Sequence, residues 1–245
     1  MSGSAPYVAL EGLDGAGTTT QAQLLCEALE RAGVACTRTF EPSDGPIGTM
    51  VRDVLRGSQR ARADALALLY AADRLDHAER VVAAALARDE VVVSDRSVYS
   101  SLAYQSDDVG DGERGGLEWV REINARAPEP HLVLFLRVSP DVAMARISAR
   151  GDAPERFDKL ETLRRVGANY DVLFGNDPAS GTFVVEPAGA RRAREARRGA
   201  RGAPLEICLI DGERPVPDVA AAIWSVYRAF AAERGARYLA SGASS

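Results

Sequence analysis

Apolar runs of strand length alternate along the chain with longer stretches in which apolar residues return every three or four positions. That alternation predicts an α/β fold, a parallel sheet flanked by helices in three layers. Tyr7 to Glu11 (YVALE) reads as a first strand, followed by a Gly-rich turn and a helix over Thr19–Ala32 with Leu24, Leu25, Ala28 and Leu29 at helical spacing. Gly33 stops that helix. Val34 to Phe40 reads as a second strand, and Pro42 to Gly48 as turn chemistry leading into a short helix through Val51, Val54 and Leu55. A long helical stretch follows from about Ala61 to Arg88. Val91 to Val93 is a third strand ending in Ser94-Asp95-Arg96, and His131 to Leu136 (HLVLFL) a fourth. Ser139-Pro140-Asp141 opens another helix, with Ser as N-cap and Pro at the first helical position. A helix over Asp158–Phe174, a fifth strand at Leu205–Ile210 (LEICLI) and a closing helix over about Val216–Glu233 complete a five-stranded reading without internal repeats. Between them, Gly175–Pro204 loses its periodicity and crowds Arg191, Arg192, Arg194, Arg197, Arg198 and Arg201 together. It reads as a solvated loop or short exposed helix inserted between elements.

Composition narrows the class. A chain of 245 residues, 46% hydrophobic and 27% charged, is the size of one globular domain, taken here as residues 1–245. A net charge of -5 argues against a nucleic-acid partner, whose footprint would be basic overall. The three cysteines, Cys26, Cys36 and Cys208, are odd in number and include no CxxC pair, and the only histidines are His77 and His131. That excludes a disulfide framework and argues against a zinc site. The first six residues resemble no secretory leader and no eighteen apolar residues run together, so a cytoplasmic protein without a membrane span is expected. Among 30 basic residues there is a single lysine, Lys159.

The chemistry begins after the first strand, where Gly12-Leu13-Asp14-Gly15-Ala16-Gly17-Thr18-Thr19-Thr20 matches the phosphate-loop template G-x-x-x-x-G-K-[ST] at every fixed position but one. Such glycines let successive backbone N–H groups turn inward as an anion nest, and the helix behind adds the partial positive charge of its N-terminus. Thr19 stands where a hydroxyl can ligate Mg2+. Thr18 occupies the lysine slot, so the ammonium that normally neutralises charge between the phosphates is missing. Deleting one preorganised donor to a developing anion costs roughly 3–4 kcal/mol.

Further pieces follow in a fixed order: Glu41-Pro42, then Tyr70-Ala71-Ala72-Asp73-Arg74, then Asp95-Arg96-Ser97 with Ser101-Leu102-Ala103-Tyr104-Gln105. With the phosphate loop, they resemble the thymidylate kinase family over about Tyr7–Phe174 and again at the fifth strand. The resemblance implies a P-loop NTPase-type fold with a five-stranded parallel sheet and a homodimer. It also implies transfer of the γ-phosphoryl group from Mg-ATP to dTMP. Tyr70 and Arg74 are four apart on one helix face, so a base can stack on the ring and be read at its edge by the guanidinium. The family more often carries Phe at the first of these. Asp95 and Arg96 close an apolar strand, where a carboxylate can hold Mg2+ through water and an arginine can bridge donor and acceptor phosphates. Ser97 departs from the Tyr or His usual in third place of that motif. By the same resemblance Asp14 accepts from the 3′-hydroxyl of dTMP, while Ser101, Tyr104 and Gln105 line base and deoxyribose. Tyr104 would crowd a ribose 2′-hydroxyl, and Arg52 would meet the acceptor phosphate. The stretch Arg146–Lys159 (RISARGDAPERFDK) corresponds to the lid over ATP, with Arg150 and Arg156, and Arg146 behind them, as donors of catalytic charge. Lys159, the sole ammonium, is a further candidate for the charge that Thr18 lacks.

Three other readings stay open on sequence alone. Thr18 is the motive for a catalytically weakened paralogue that binds nucleotide without efficient transfer. The phosphate loop by itself also fits a kinase for another nucleotide or a deoxynucleoside. The Arg-rich insertion is the motive for a nucleic-acid or partner-binding module.

Overall fold

The computed structural model describes residues 5–109, 116–151, 156–157, 159–174, 183–185, 190–198, 204–234 and 238. The parallel strands are β1 (Tyr7–Gly12), β2 (Cys36–Phe40), β3 (Val91–Asp95), β4 (Leu132–Arg137) and, far along the chain, Pro204–Asp211. Two more strands precede that last one, β5 (Phe183–Val185) and β6 (Ala190–Arg198), so it is β7. The sheet order is β2-β3-β1-β4-β7-β6-β5, parallel from β2 to β7 and antiparallel over β6 and β5.

The five strands expected from the apolar runs are therefore the parallel ones, while the Arg-rich insertion corrects its reading. Its described part is an antiparallel hairpin along β7, with Arg192 opposite Cys208 and Ala190 opposite Ile210, not a loop or a helix. The backbone of β6 finds ladder partners on both sides, β7 and β5, so the strand needs no apolar run to announce it.

All of β1 is buried, as a parallel strand covered on both faces must be. Each large apolar side chain so buried contributes about 1.5–3 kcal/mol. The helices are α1 (Thr18–Arg31), α2 (Pro46–Leu55), α3 (Ala63–His77), α4 (Ala84–Ala87), α5 (Val98–Tyr104), α6 (Gly116–Ile123), α7 (Pro140–Arg150), α8 (Leu160–Leu173) and α9 (Val216–Arg234). A π-helical turn, Ala78–Ala83, joins α3 to α4, so the long stretch expected from Ala61 to Arg88 is one rod with an irregular middle. Helices α1 and α9 pack together on one face of the sheet, and α5 and α8 on the other. Neither α5 nor α6 was expected from periodicity, both being too short to show it.

One cross-link also corrects the sequence reading. Cys26 on α1 and Cys36 on β2 form a disulfide, and Cys208 is buried outside it. Ten residues separate the pair, but the turn after α1 brings the Cα atoms to 5.8 Å.

Because β1 runs between β3 and β4, the chain reverses its direction of growth at β1, and the loops after β1, β2 and β3 open into one crevice at the carboxyl edge.

Candidate functional site

The phosphate loop leaves β1 at Gly12 and enters α1 at Thr18, with Gly15 and Gly17 at φ 84° and 93°. Gly15 is required twice over, since a Cβ there would also lie 2.5 Å from the carbonyl oxygen of Ala143 on α7. That contact seats α7 directly on the loop, and one turn later Arg146 Nη1 lies 3.5 Å from the carbonyl oxygens of Gly15 and Ala16. Thr18 is buried and Thr20 exposed. Thr19 Oγ1 donates to Asp95 Oδ2 at 2.5 Å across the β1–β3 pair, while Asp95 Oδ1 is buried with no hydrogen-bond partner.

Arg96 follows β3 at φ 77°, in the left-handed region that non-glycine residues rarely adopt. Its N–H bonds Leu10 O and its own carbonyl accepts from Ser94 Oγ. The guanidinium then reaches back across the sheet to Asp14 Oδ1 and to the carbonyl oxygen of Gly12. It sits 5.1 Å from the centre of the Tyr104 ring. Burial works against its charge, but Tyr104, Asp14, Tyr170 and Asp95 raise its pKa well above the usual arginine value. Tyr104 in turn accepts from the Asp14 N–H at 2.8 Å, and burial raises its hydroxyl far above the phenol range.

Beside this corner lies a cavity of about 140 Å³ whose wall includes Asp14, Tyr70, Arg74, Arg96, Ser101, Tyr104 and Gln105. Seven residues picked from distant parts of the sequence are thus brought together, together with Leu55, Pro42 and Phe157. Phe157 is buried and meets the Tyr104 ring edge-on at 5.4 Å. Its neighbour Arg156 is tied by its N–H to the Leu55 carbonyl of α2. Gln105 Oε1 is buried without a hydrogen-bond partner.

Arg74 is fixed from several sides. Nε donates to Glu41 Oε2 at 2.8 Å, Nη1 to Asn124 Oδ1, and Nη2 to Ser101 Oγ and the Ser97 carbonyl. Burial opposes the Glu41 charge, but Arg74 and His77 beside it hold the carboxyl below its usual value. His77 Nδ1 is 3.6 Å from Glu41 Oε1 and its Nε2 pairs with Thr39 Oγ1.

Other expected residues stand elsewhere. Arg52 is turned into the loop after β2, donating to the carbonyls of Pro42 and Ser43. Arg150 is exposed at the end of α7, and Lys159 is exposed as the N-cap of α8. Residues 152–155 and 158 of the expected lid lie outside the described residues.

Reading the sequence missed the supporting acids and amides. Glu11, the fifth residue of β1, is fully buried; burial pushes its carboxyl up while Ser100, Ser97, Arg96 and Tyr170 pull it down. Its signal was present, an acid inside an apolar strand, which demands partners. Asn124, at the end of α6, had no comparable signal.

Known proteins resemble this chain over most of its length. Residues 10–188 match the family model described as thymidylate kinase. A thymidylate kinase of Synechococcus sp. (strain JA-3-3Ab) is 38% identical over 225 residues, covering 91% of this chain and 95% of the relative. A thymidylate kinase of Xanthomonas oryzae pv. oryzae (strain PXO99A) is 42% identical over 159 residues, covering 64% of this chain and 67% of the relative.

Proposed function

The chain belongs to the thymidylate kinase family, and we infer from that membership that it phosphorylates dTMP with ATP as the phosphoryl donor. The relatives do not favour a weakened paralogue or a kinase for another nucleotide. The observation that carries the site assignment is one cavity shared by an aromatic ring, a fixed guanidinium and the edge of the phosphate loop.

In this reading the thymine lies against Tyr70, with its edge toward Arg74 and Gln105. Four of the five N–H groups of Arg74 are already held, which presets its plane for a planar base. Gln105 Oε1 is an acceptor awaiting a donor, and the thymine N3–H is one. Ser101 lines the base and deoxyribose, and Tyr104 stands where a 2′-hydroxyl would go. Asp14 takes the 3′-hydroxyl, and Arg96 spans from the loop to the acceptor phosphate. Arg52 lies nearest the loop after β2, a second cation for that phosphate.

The donor phosphates sit on the N–H groups of Gly15 to Thr20, at the N-terminus of α1. Thr19 and Asp95 suit Mg2+: a hydroxyl and a carboxylate lie in contact, and the buried Asp95 Oδ1 lacks a partner. Bound there, Mg2+ would neutralise charge on the β- and γ-phosphates. Arg146, already at the loop, is the best placed of the lid arginines to stand in for the ammonium absent at Thr18, with Arg150, Arg156 and Lys159 further along the lid.

A homodimer has a face available, since Met50 on α2 and Leu68 and Leu75 on α3 are exposed large apolar side chains on two helices that pack together. Among the described residues no helix is long and apolar enough to cross a membrane.

The test is a coupled ADP-release assay with Mg-ATP and a panel of dTMP, dUMP, dCMP and thymidine. Turnover is expected to be fastest with dTMP. Absent turnover at high enzyme concentration, with dTMP binding intact by calorimetry, would mean the weakened paralogue, and preference for thymidine a nucleoside kinase.

A further inference from the structure

Glu11 has no part in the reaction as described above, yet it is the most deeply placed acid at the site. It is fully buried, one residue before the phosphate loop. Oε1 accepts from Ser97 Oγ at 2.7 Å, and Oε2 accepts from Ser100 Oγ at 2.6 Å and from the Tyr170 hydroxyl at 2.8 Å. The three hydroxyls engage both carboxyl oxygens and offset part of the burial that raises the pKa of this group.

Ser100 does more than solvate this carboxylate. Its Oγ also accepts from Arg96 Nη1 at 3.1 Å, so one hydroxyl joins the guanidinium to the buried acid. The other hydrogen-bond acceptors of Arg96 include Gly12 O and Asp14 Oδ1, both on the loop that substrates engage, and the Tyr104 ring lies 5.1 Å from the guanidinium. Asp14 divides its carboxylate between Arg96 and a sugar hydroxyl once substrate is bound. Glu11 lies beneath the loop, where no substrate reaches it, and its hold persists through binding. Arg96 stands at φ 77°, a conformation a non-glycine residue keeps only where its surroundings hold it firmly, and the Ser100 bridge is part of that hold.

We infer that Glu11 is a positioning residue, which acts through Ser100 to keep the Arg96 guanidinium aimed into the crevice while Asp14 also holds the substrate. The inference rests on Arg96 being the arginine that meets the transferring phosphoryl group. It also accounts for Ser97, the odd member of its motif, whose small hydroxyl completes the carboxylate's shell where Tyr or His would stand.

The experiment is steady-state kinetics of the full chain with dTMP and Mg-ATP, alongside thermal unfolding of each variant. Glu11→Gln keeps the size but replaces one acceptor oxygen with an N–H donor, which disturbs the hydroxyl network that reaches Arg96. It is expected to lower kcat on the order of 100-fold, as misplacement of a reacting group does, with KM for dTMP within about 3-fold of wild type. Ser100→Ala breaks the bridge and leaves the carboxylate, and is expected to give a comparable loss. The double variant loses no more than the worse single one, since both changes act on one connection. Losses that multiply in the double variant, a rise in KM alone, or kcat within about 2-fold of wild type in either single variant overturns the inference. If Glu11→Gln does not fold, Ser100→Ala carries the same criterion alone. Arg96→Lys in parallel separates the two levels: if it loses kcat while Glu11→Gln does not, only the positioning role falls. If Arg96→Lys retains kcat, the premise about Arg96 falls and the inference with it.

Discussion

Thr18 is the residue at which sequence and structure say different amounts. Its place in the template was legible at once, because a neutral side chain stands where an ammonium neutralises phosphate charge. Where replacement charge comes from was not legible, since it depends on which lid residue folds back onto the loop. The only lysine drew attention by its rarity, but Lys159 is exposed at the start of α8, whereas Arg146 touches the loop carbonyls. A preorganised cation at a developing anion is worth about 2.7–4 kcal/mol, or 100-fold and more in rate. Arg146→Ala is therefore expected to lower kcat by on the order of 100-fold. Restoring the ammonium with Thr18→Lys should shrink that penalty to below about 10-fold, because the two cations serve one function. Single-turnover rates of the four combinations decide it. An Arg146→Ala penalty equal in both backgrounds places the compensating charge elsewhere on the lid.

Secondary-structure elements were read well where an apolar face announces them and badly where a neighbour makes the face unnecessary. The parallel strands β1, β3, β4 and β7 are nearly continuous apolar runs, and each was found within two residues of its ends. The sequence ARRAREARR gave no such signal, yet its backbone is a strand because β7 offers a ladder edge. The disulfide between α1 and β2 escaped for a related reason: spacing along the chain does not report distance across a helix end. The seating of α7 on the phosphate loop is the element-level contact with the largest functional consequence. It depends on Gly15, whose φ of 84° and 2.5 Å Cβ approach to Ala143 O leave no room for a side chain. A left-handed conformation alone costs an L residue about 1–2 kcal/mol, and relief of the clash must come from moving α7. Gly15→Ala is expected to lower stability by at least about 2 kcal/mol in urea unfolding and to raise KM for ATP more than KM for dTMP. Equal changes in both KM values would show that the whole crevice, not the α7 side, had shifted.

Over the whole molecule, what the sequence conveyed was the set of chemical groups, and what the fold added was the single edge that collects them. Strand order places the ends of β1, β2 and β3 side by side, so Asp14, Glu41 and Arg96 meet although no local pattern links them. At the opposite, amino edge of the sheet the strands are tied by a histidine. Tyr7 N–H donates to His131 Nδ1 at 2.9 Å, His131 N–H donates to Tyr7 O at 2.7 Å, and Glu206 N–H donates to His131 O. One residue thus clasps β1, β4 and β7 at their starts.

That clasp predicts how the fold responds to acid. An imidazole accepting a hydrogen bond from a backbone N–H must be neutral at that nitrogen. Burial, with Arg234 nearby, lowers the His131 pKa to about 4. The unfolded chain takes up the proton near the ordinary value of about 6.5, so between these two limits the unfolded state binds more protons than the native one. Stability is therefore complete above about pH 6.5, declines as pH falls toward 4, and loses no more from this group below that. The loss attributable to His131 is up to about 3 kcal/mol. Carboxylates begin to titrate at the lower end of the same interval, so the wild type alone cannot isolate it. His131→Asn retains a side-chain acceptor and removes the titration. Urea midpoints measured at pH 7 and pH 4.5 should fall further in wild type than in His131→Asn, even though the variant starts less stable at pH 7. Equal falls in the two proteins would mean that the acid sensitivity lies in the carboxylates of the crevice, Glu41 first among them, whose pKa the fold lowers.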